Sequence, residues 1–161
     1  MNIQLSIFPE NSGAIFSDDR KFRFSLWRIW NEDKPRVMFI GLNPSTANEY
    51  KSDATITRVT GFAKDWGFGG FYMLNLFTYI TPYPEELKQC SDPEKLSDFY
   101  LQNISEKCKR VIFAWGTFKQ AKERAEHVIK MFPDAFCLYK NNDGTPIHPL
   151  YVKADTIPVK F

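Results

Sequence analysis

Val37-Met38-Phe39-Ile40-Gly41-Leu42-Asn43-Pro44-Ser45-Thr46 joins four consecutive apolar residues to a glycine and then to a polar turn fixed by proline. A run that is apolar at every position is buried on both faces, as the strands of a parallel sheet are. Gly41 frees the backbone where the strand stops, and Pro44 stiffens the turn beyond it. Asn43, Ser45 and Thr46 then present an amide and two hydroxyls at the strand end. Such a turn can hold a ligand oxygen or a water; the same residues also make an ordinary strand-to-helix connection.

Downstream, the spacing predicts a helix over 53–66, with Ile56, Val59, Ala63 and Trp66 on one stripe, Ser52 or Asp53 as cap and Gly67 as terminator. A second apolar strand is expected from Phe71 to Phe77, closed by a loop broken at Pro82 and Pro84. A helix beginning near Asp92-Pro93 is expected to turn Leu96, Phe99, Tyr100 and Ile104 inward. A third strand, Val111 to Ala114, runs through Trp115-Gly116-Thr117 into a helix carrying Phe118, Ala121, Ala125, Val128 and Phe132, and a fourth strand spans Ala135 to Tyr139. Upstream, Ala14–Phe16 and Phe22–Trp30 flank the polar Ser17-Asp18-Asp19-Arg20, an antiparallel hairpin expected as a peripheral cap.

Strands alternating with helices imply right-handed crossovers and a parallel sheet covered on both faces. The expected fold is thus α/β: a three-layer α/β/α sandwich around a four-stranded parallel sheet, plus the N-terminal hairpin, in one domain over 1–161. Ligands bind such sheets beyond the carboxyl ends of the strands. Four segments lie there: Gly41–Thr46, Asn75–Tyr79, Trp115–Thr117 and Lys140–Tyr151.

Composition narrows the setting. The 161 residues are 43% hydrophobic, enough for one sizeable core. No run of eighteen apolar residues and no basic-then-apolar leader is present, so a cytoplasmic protein with no membrane span is expected. Cys90, Cys108 and Cys137 lack paired metal-ligand spacing and read as isolated reduced thiols. The formal charge of +2, with both signs dispersed, neither requires nor excludes a nucleic-acid partner. No nucleotide fingerprint, metal triad or nucleophile elbow occurs, so neither cofactor nor metal is expected.

Several residues at the strand ends can carry chemistry. Asn75 is a polar residue in Met73-Leu74-Asn75-Leu76-Phe77, and burying its amide unpaired would cost about 1–3 kcal/mol. Its partner is either neighbouring backbone or the edge of a base. His148 stands between Pro146 and Pro149, in a loop stiff enough to position an imidazole, whereas His127, among charged residues in a helix, reads as solvated. Asp53, Thr55 and Arg58 gather at a helix start: Asp53 is a cap or a general base, and Arg58 can meet a phosphate.

Asn43-Pro44-Ser45-Thr46-Ala47, Asp53-Ala54-Thr55-Ile56, Asn75-Leu76-Phe77, Ala114-Trp115-Gly116 and Gly144-Thr145-Pro146-Ile147-His148-Pro149-Leu150-Tyr151 together resemble domain of unknown function 1643, from about Phe22 to Tyr151. Ile80 departs from the arginine of many members. That family in turn is similar to the uracil-DNA glycosylases, which implies their type of sheet. Phe39-Ile40-Gly41-Leu42-Asn43-Pro44 resembles the strand and Gly-Ile-Asn-Pro-Gly motif of the mismatch-specific branch, whose asparagine positions the hydrolytic water. The resemblance gives Asn43 that role. Asn75 matches the base-reading asparagine, Ala114-Trp115-Gly116 the Leu-Trp-Gly strand end, and His148-Pro149 the second motif. The uracil-specific enzymes carry Gln-Asp-Pro-Tyr-His where this chain has Leu42-Asn43-Pro44-Ser45-Thr46, so their aspartate is missing and their tyrosine becomes Ser45.

The resemblance implies a base-recognising N-glycosylase-like hydrolase acting on a modified or damaged base in DNA or a nucleotide. Asn43, His148 and Asp53 are the catalytic candidates. Gly41, Leu42, Pro44, Ser45, Thr46, Thr55, Arg58, Asn75, Phe77 and Trp115 are the substrate-binding candidates, with Leu150 or Tyr151 as a wedge or as core packing. Arg58, Lys140 and Lys153 are the candidate phosphate contacts. Two other readings stay open: a catalytically silent nucleic-acid or protein-binding module on the same fold, and a hydrolase or transferase of free nucleotides.

Overall fold

The structure is a computed structural model that describes residues 2–5, 11–48, 50–89 and 94–161. Among these, eight strands form one mixed sheet in the order β1-β2-β3-β5-β4-β6-β7-β8. They are β1 (Asn2–Leu5), β2 (Asn11–Phe16), β3 (Arg23–Ile29), β4 (Arg36–Gly41), β5 (Gly70–Asn75), β6 (Arg110–Phe113), β7 (Phe136–Cys137) and β8 (Val159–Lys160). The helices are α1 (Ala54–Asp65), α2 (Glu94–Ser105) and α3 (Lys122–Met131). Among the described residues, no helix is long and apolar enough to cross a membrane.

The four central strands are parallel, β5 and β6 flanking β4 and β7 pairing with β6. Alternation along β4 divides the core into two. Val37 and Phe39 pack with Ile56, Val59, Phe62 and Ala63 of α1, while Met38 and Ile40 pack with Leu101 and Ile104 of α2 and Ala125 and Val128 of α3. Helices therefore cover both faces in three layers. Each fully buried aromatic or aliphatic side chain in these layers contributes about 1.5–3 kcal/mol.

Helix α1 starts and stops where the sequence predicts. Asp53 caps it, its Oδ1 accepting from the Ile56 amide at 2.9 Å, and Gly67 leaves it at φ 82°. Other elements correct the expectation. The second strand stops at Asn75 rather than Phe77, and the fourth shrinks to Phe136–Cys137, the short edge completed by β8 running antiparallel. Residues 119–121 form a 3-10 turn before α3 begins.

The predicted start of α2 at Asp92-Pro93 lies outside the described residues. Leu96 and Phe99 of that helix are exposed, and Ser97, Leu101 and Ile104 face inward. The helix is rotated because Arg124 of α3, itself buried, binds both Ser97 Oγ (2.9 Å) and Asp98 Oδ1 (2.6 Å). Tyr100, at the margin of that face, stacks on Phe24 at 5.2 Å. Cys108 and Cys137 are free thiols that burial pushes up, Cys108 to about 12, and Cys90 lies outside the described residues.

The hairpin is not a peripheral cap. Strand β3 pairs antiparallel with β5, so the hairpin extends the central sheet. Running opposite to the parallel strands, β3 begins where they end. Its first residue, Arg23, donates its amide to Thr78 O at 2.8 Å, and Ile80 donates to Lys21 O at 2.9 Å. The hairpin and the loop after β5 together wall off the carboxyl end of the sheet.

Candidate functional site

A cavity of about 230 Å³ opens at that carboxyl end. All four strand-end segments contribute to it: Gly41, Leu42, Asn43, Pro44 and Ser45 after β4, Asn75 at the end of β5, Trp115 after β6, and His148 from the loop after β7. Asp53 and Thr55 from the start of α1 complete the half-buried side, and Arg23 and Met73 line a wall sealed from solvent.

The two asparagines present opposite faces. Asn43 Nδ2 donates to Thr81 O (2.8 Å), Pro44 O (3.1 Å) and Tyr79 O (3.4 Å), which ties down the loop after β5. Its Oδ1 accepts nothing from the described residues and remains an acceptor. Asn75, only 4% exposed, meets Arg23 Nη2 at 3.4 Å. A guanidinium only donates, so the amide atom that meets it is Oδ1. Nδ2 is left without an acceptor among the described residues. Gly41 gives this amide its room, since a Cβ there would stand 2.8 Å from Asn75 Nδ2 and 2.7 Å from Met73 Cε. The partner of Asn75 Oδ1 is thus a side chain from the hairpin.

Arg23 is 3% exposed, with Nη1 donating to Ala47 O at 3.0 Å and Nε sealed without a partner among the described residues. Burial, and after it the neighbouring Arg28, lower its pKa to about 10 against the pull of the Asp53 carboxylate. It stays charged at neutral pH.

Asp53 does two jobs at once. Oδ1 caps α1, and Oδ2 accepts from Ser45 Oγ at 3.3 Å. His148 caps a 3-10 turn, Pro149–Tyr151: its Nδ1 accepts from the Leu150 amide at 3.1 Å. A ring nitrogen that accepts carries no proton, so the neutral ring holds its proton on Nε2. Burial lowers the His148 pKa while Asp53 opposes it. The loop is held by a Gly116 amide bond to Pro146 O (2.9 Å) and by Thr117 Oγ1 against Thr145 Oγ1 (2.8 Å). Gly116 sits at φ 75°, and its α-carbon faces the His148 Cβ across a gap that a Cβ would close to 3.5 Å.

A family model described as "Protein of unknown function (DUF1643)" matches residues 23–150. The chain belongs to the DUF1643 family. Comparison with curated proteins and with solved structures gives no match. The matched span begins at Arg23 and ends at Leu150, so it encloses the whole of the cavity lining of this DUF1643 protein.

The structure does not bring every candidate together. Thr46, Arg58, Phe77, Leu150 and Tyr151 do not line the cavity. Arg58 Nη1 binds Val152 O at 3.1 Å and pins the segment after the histidine loop to α1. Phe77 faces a separate cleft beside Arg124, and Leu150 and Tyr151 are exposed, with the Tyr151 ring 5.7 Å from His148. Lys140 Nζ binds Phe161 O at 3.1 Å, and neither Lys140 nor Lys153 reaches the cavity.

Sequence reasoning missed Arg23, Ile56, Met73, Thr81, Pro82, Pro84 and Ala114 in this wall. The available signal was an arginine between Phe22 and Phe24 at a strand start, where neighbours on both sides are apolar. His127 is not simply solvated: Nε2 lies 2.7 Å from Asp98 Oδ2. Among the described residues, no group of three His, Cys, Asp or Glu side chains is placed to hold a metal.

Proposed function

We propose that this DUF1643 protein is a base-recognising hydrolase of N-glycosidic bonds, its sheet of the uracil-DNA-glycosylase type and its substrate a modified base in DNA or a nucleotide. One observation carries the reading: Asn43, Asp53 and His148, chosen from the sequence, converge with Asn75 on one cavity sized for a single heterocycle. Drug-sized ligands occupy about 300–1,000 Å³, so a cavity of about 230 Å³ fits one ring rather than a whole nucleotide.

In this reading Asn43 Oδ1 accepts a hydrogen of the attacking water. The water oxygen bonds to the sugar carbon as the carbon–nitrogen bond breaks, and the electron pair leaves with the base. His148 Nε2–H donates to the base oxygen on which that charge collects. The water's proton passes to Asp53 Oδ2. The Asn43 amide cannot itself take that proton, so turnover depends on Asp53.

The second reading, action on free nucleosides rather than on a polymer, is favoured by the engaged cations. Binding along a phosphate backbone needs Lys and Arg free at the mouth. Arg58 and Lys140 are both bonded to main-chain carbonyls. Incubation with single-stranded oligonucleotides, duplexes and free nucleosides bearing 5-substituted pyrimidines or deaminated purines, read as released base, separates these. Release from any of them that disappears in Asn43→Ala and His148→Ala supports the hydrolase. No release from the whole panel refutes it, and binding without release leaves the pocket as a silent recognition module.

A further inference from the structure

The buried wall of the cavity holds a positive charge that no described carboxylate touches. Arg23 is more than nine-tenths buried, yet among the described residues only two of its five N–H groups have partners, Ala47 O and Asn75 Oδ1, and the contact to Asn75 is long at 3.4 Å. Its Nε is sealed and has no partner among the described residues. The carboxylate that acts on it electrostatically, Asp53, is engaged by the Ile56 amide and Ser45 Oγ rather than by the guanidinium. Burying a charge without such a partner costs several kcal/mol, so a fold keeps it where something else supplies the opposite charge.

The neighbouring amide points the same way. With Oδ1 committed to Arg23, Asn75 offers the cavity a donor only. An amide so oriented cannot read an imide edge, which needs a donor and an acceptor side by side. Arg23 and Asn75 Nδ2 form a donor-only wall, and Met73 beside them is apolar.

We infer that the pocket takes a single-ring heterocycle bearing a carboxylate, which seats against Arg23 and Asn75 while the ring lies between them and His148. This rests on the base-binding reading of the cavity and names the substituent that the base carries. The Asp53 side of the cavity, opposite in charge, meets the ring's own N–H groups and repels a ligand entering the other way round.

Calorimetric titration of the full chain with uracil-5-carboxylate and with uracil tests it. The wild-type protein is expected to bind the carboxylate at least about tenfold more tightly than uracil, the effect of one charge-assisted contact. Arg23→Gln should bring the two within about twofold, and Arg23→Lys, which keeps the charge but loses the planar fork, should retain part of the preference. Equal affinities in the wild type, failure to bind the carboxylate, or a preference that survives Arg23→Gln overturns the inference. The wild-type comparison stands even if a variant folds poorly. A carboxylate preference with no base release from any substrate refutes the hydrolase and leaves this inference standing; release of neutral bases that ignores Arg23 does the reverse.

Discussion

Two clusters in this protein use the same three residue types and wire them in opposite ways. On the helical side, Asp98 lies between a buried arginine and a histidine, Oδ1 at 2.6 Å from Arg124 and Oδ2 at 2.7 Å from His127. Arg124 directs its other nitrogens to Leu76 O (2.8 Å) and Ser97 Oγ (2.9 Å). At the strand ends, Asp53 gives both oxygens to a helix cap and a serine, so Arg23 and His148 face the cavity without it. A closed set of partners fixes α2 against α3. An open set leaves donors facing the cavity, available to a ligand.

The arginines should separate the two clusters most widely. Arg124→Met strips the partner from Asp98, Ser97 and Leu76 O together, and breaking such a buried pair costs about 3–5 kcal/mol. The lower end, about 3, is expected because Asp98 is 32% exposed and rehydrates. Arg23→Met should stay within about 1 kcal/mol of the parent, since losing the Ala47 contact is offset by relief of an uncompensated buried charge. Urea unfolding of both variants measures this directly. Equal losses would mean that Arg23 is a structural arginine like its counterpart, and the contrast between the clusters would fail.

The aspartates sharpen the contrast at the next level. Asp98→Asn removes two charge-assisted contacts and should cost about 1.5–3 kcal/mol. Asp53→Asn keeps an N-cap as good as the original and should cost no more than a few tenths, while Asp53→Ala loses the cap and should cost about 1 kcal/mol. If base release is abolished in Asp53→Asn at unchanged stability, the carboxylate acts in the chemistry. If only Asp53→Ala is impaired, and in proportion to its lost stability, Asp53 is a cap and nothing more.

The central layers were legible because each relevant signal is local. Val37–Ile40 is apolar throughout, α1 carries its own cap and glycine terminator, and the rule that ligands sit at carboxyl strand ends named all four segments that meet in the cavity. Signals that depend on pairing were not. Arg23 reads as one more charge in an alternating hairpin until β3 is paired antiparallel with β5, which carries the first residue of β3 to the site. The rotation of α2 likewise depends on Arg124, twenty-seven residues away from Ser97 in the chain, so Leu96 and Phe99 satisfied the helical period and still faced out. His127 showed its charged neighbours in sequence and hid Asp98, its neighbour in space.

Gly41 and Gly61 test the cavity from within the backbone. Gly41→Ala places a methyl against Asn75 Nδ2 and Met73 Cε, and overpacking of this kind costs about 1–3 kcal/mol. Gly61, exposed in the middle of α1, has nothing within 4 Å of its missing Cβ, so Gly61→Ala should stabilise by roughly 0.5–1 kcal/mol. Thermal melting gives both signs in one experiment. Loss of uracil-5-carboxylate binding in Gly41→Ala beyond what its stability loss explains would locate the effect at the displaced Asn75.

The histidines make the smallest difference, and one that depends on pH. Burial lowers the His148 pKa below its ordinary value of 6.5, so between 6.5 and that lowered value the unfolded chain binds more protons than the folded one. Stability then rises with pH across this window: the contribution is fully present above 6.5 and is lost as pH falls through the folded pKa. Protonation also puts a hydrogen on Nδ1, which can no longer accept from the Leu150 amide, so the Pro149–Tyr151 turn loses its cap. Chemical-shift titration of the His148 ring should report the lowered pKa, with the Leu150 amide resonance moving in step. His148→Gln should flatten the acid-side slope of the unfolding free energy, whereas His127→Gln should leave the Leu150 resonance where it was. A Leu150 amide that ignores the His148 titration would show that the ring is not held through Nδ1, and Nε2–H would no longer be the fixed donor on which its role at the departing base depends.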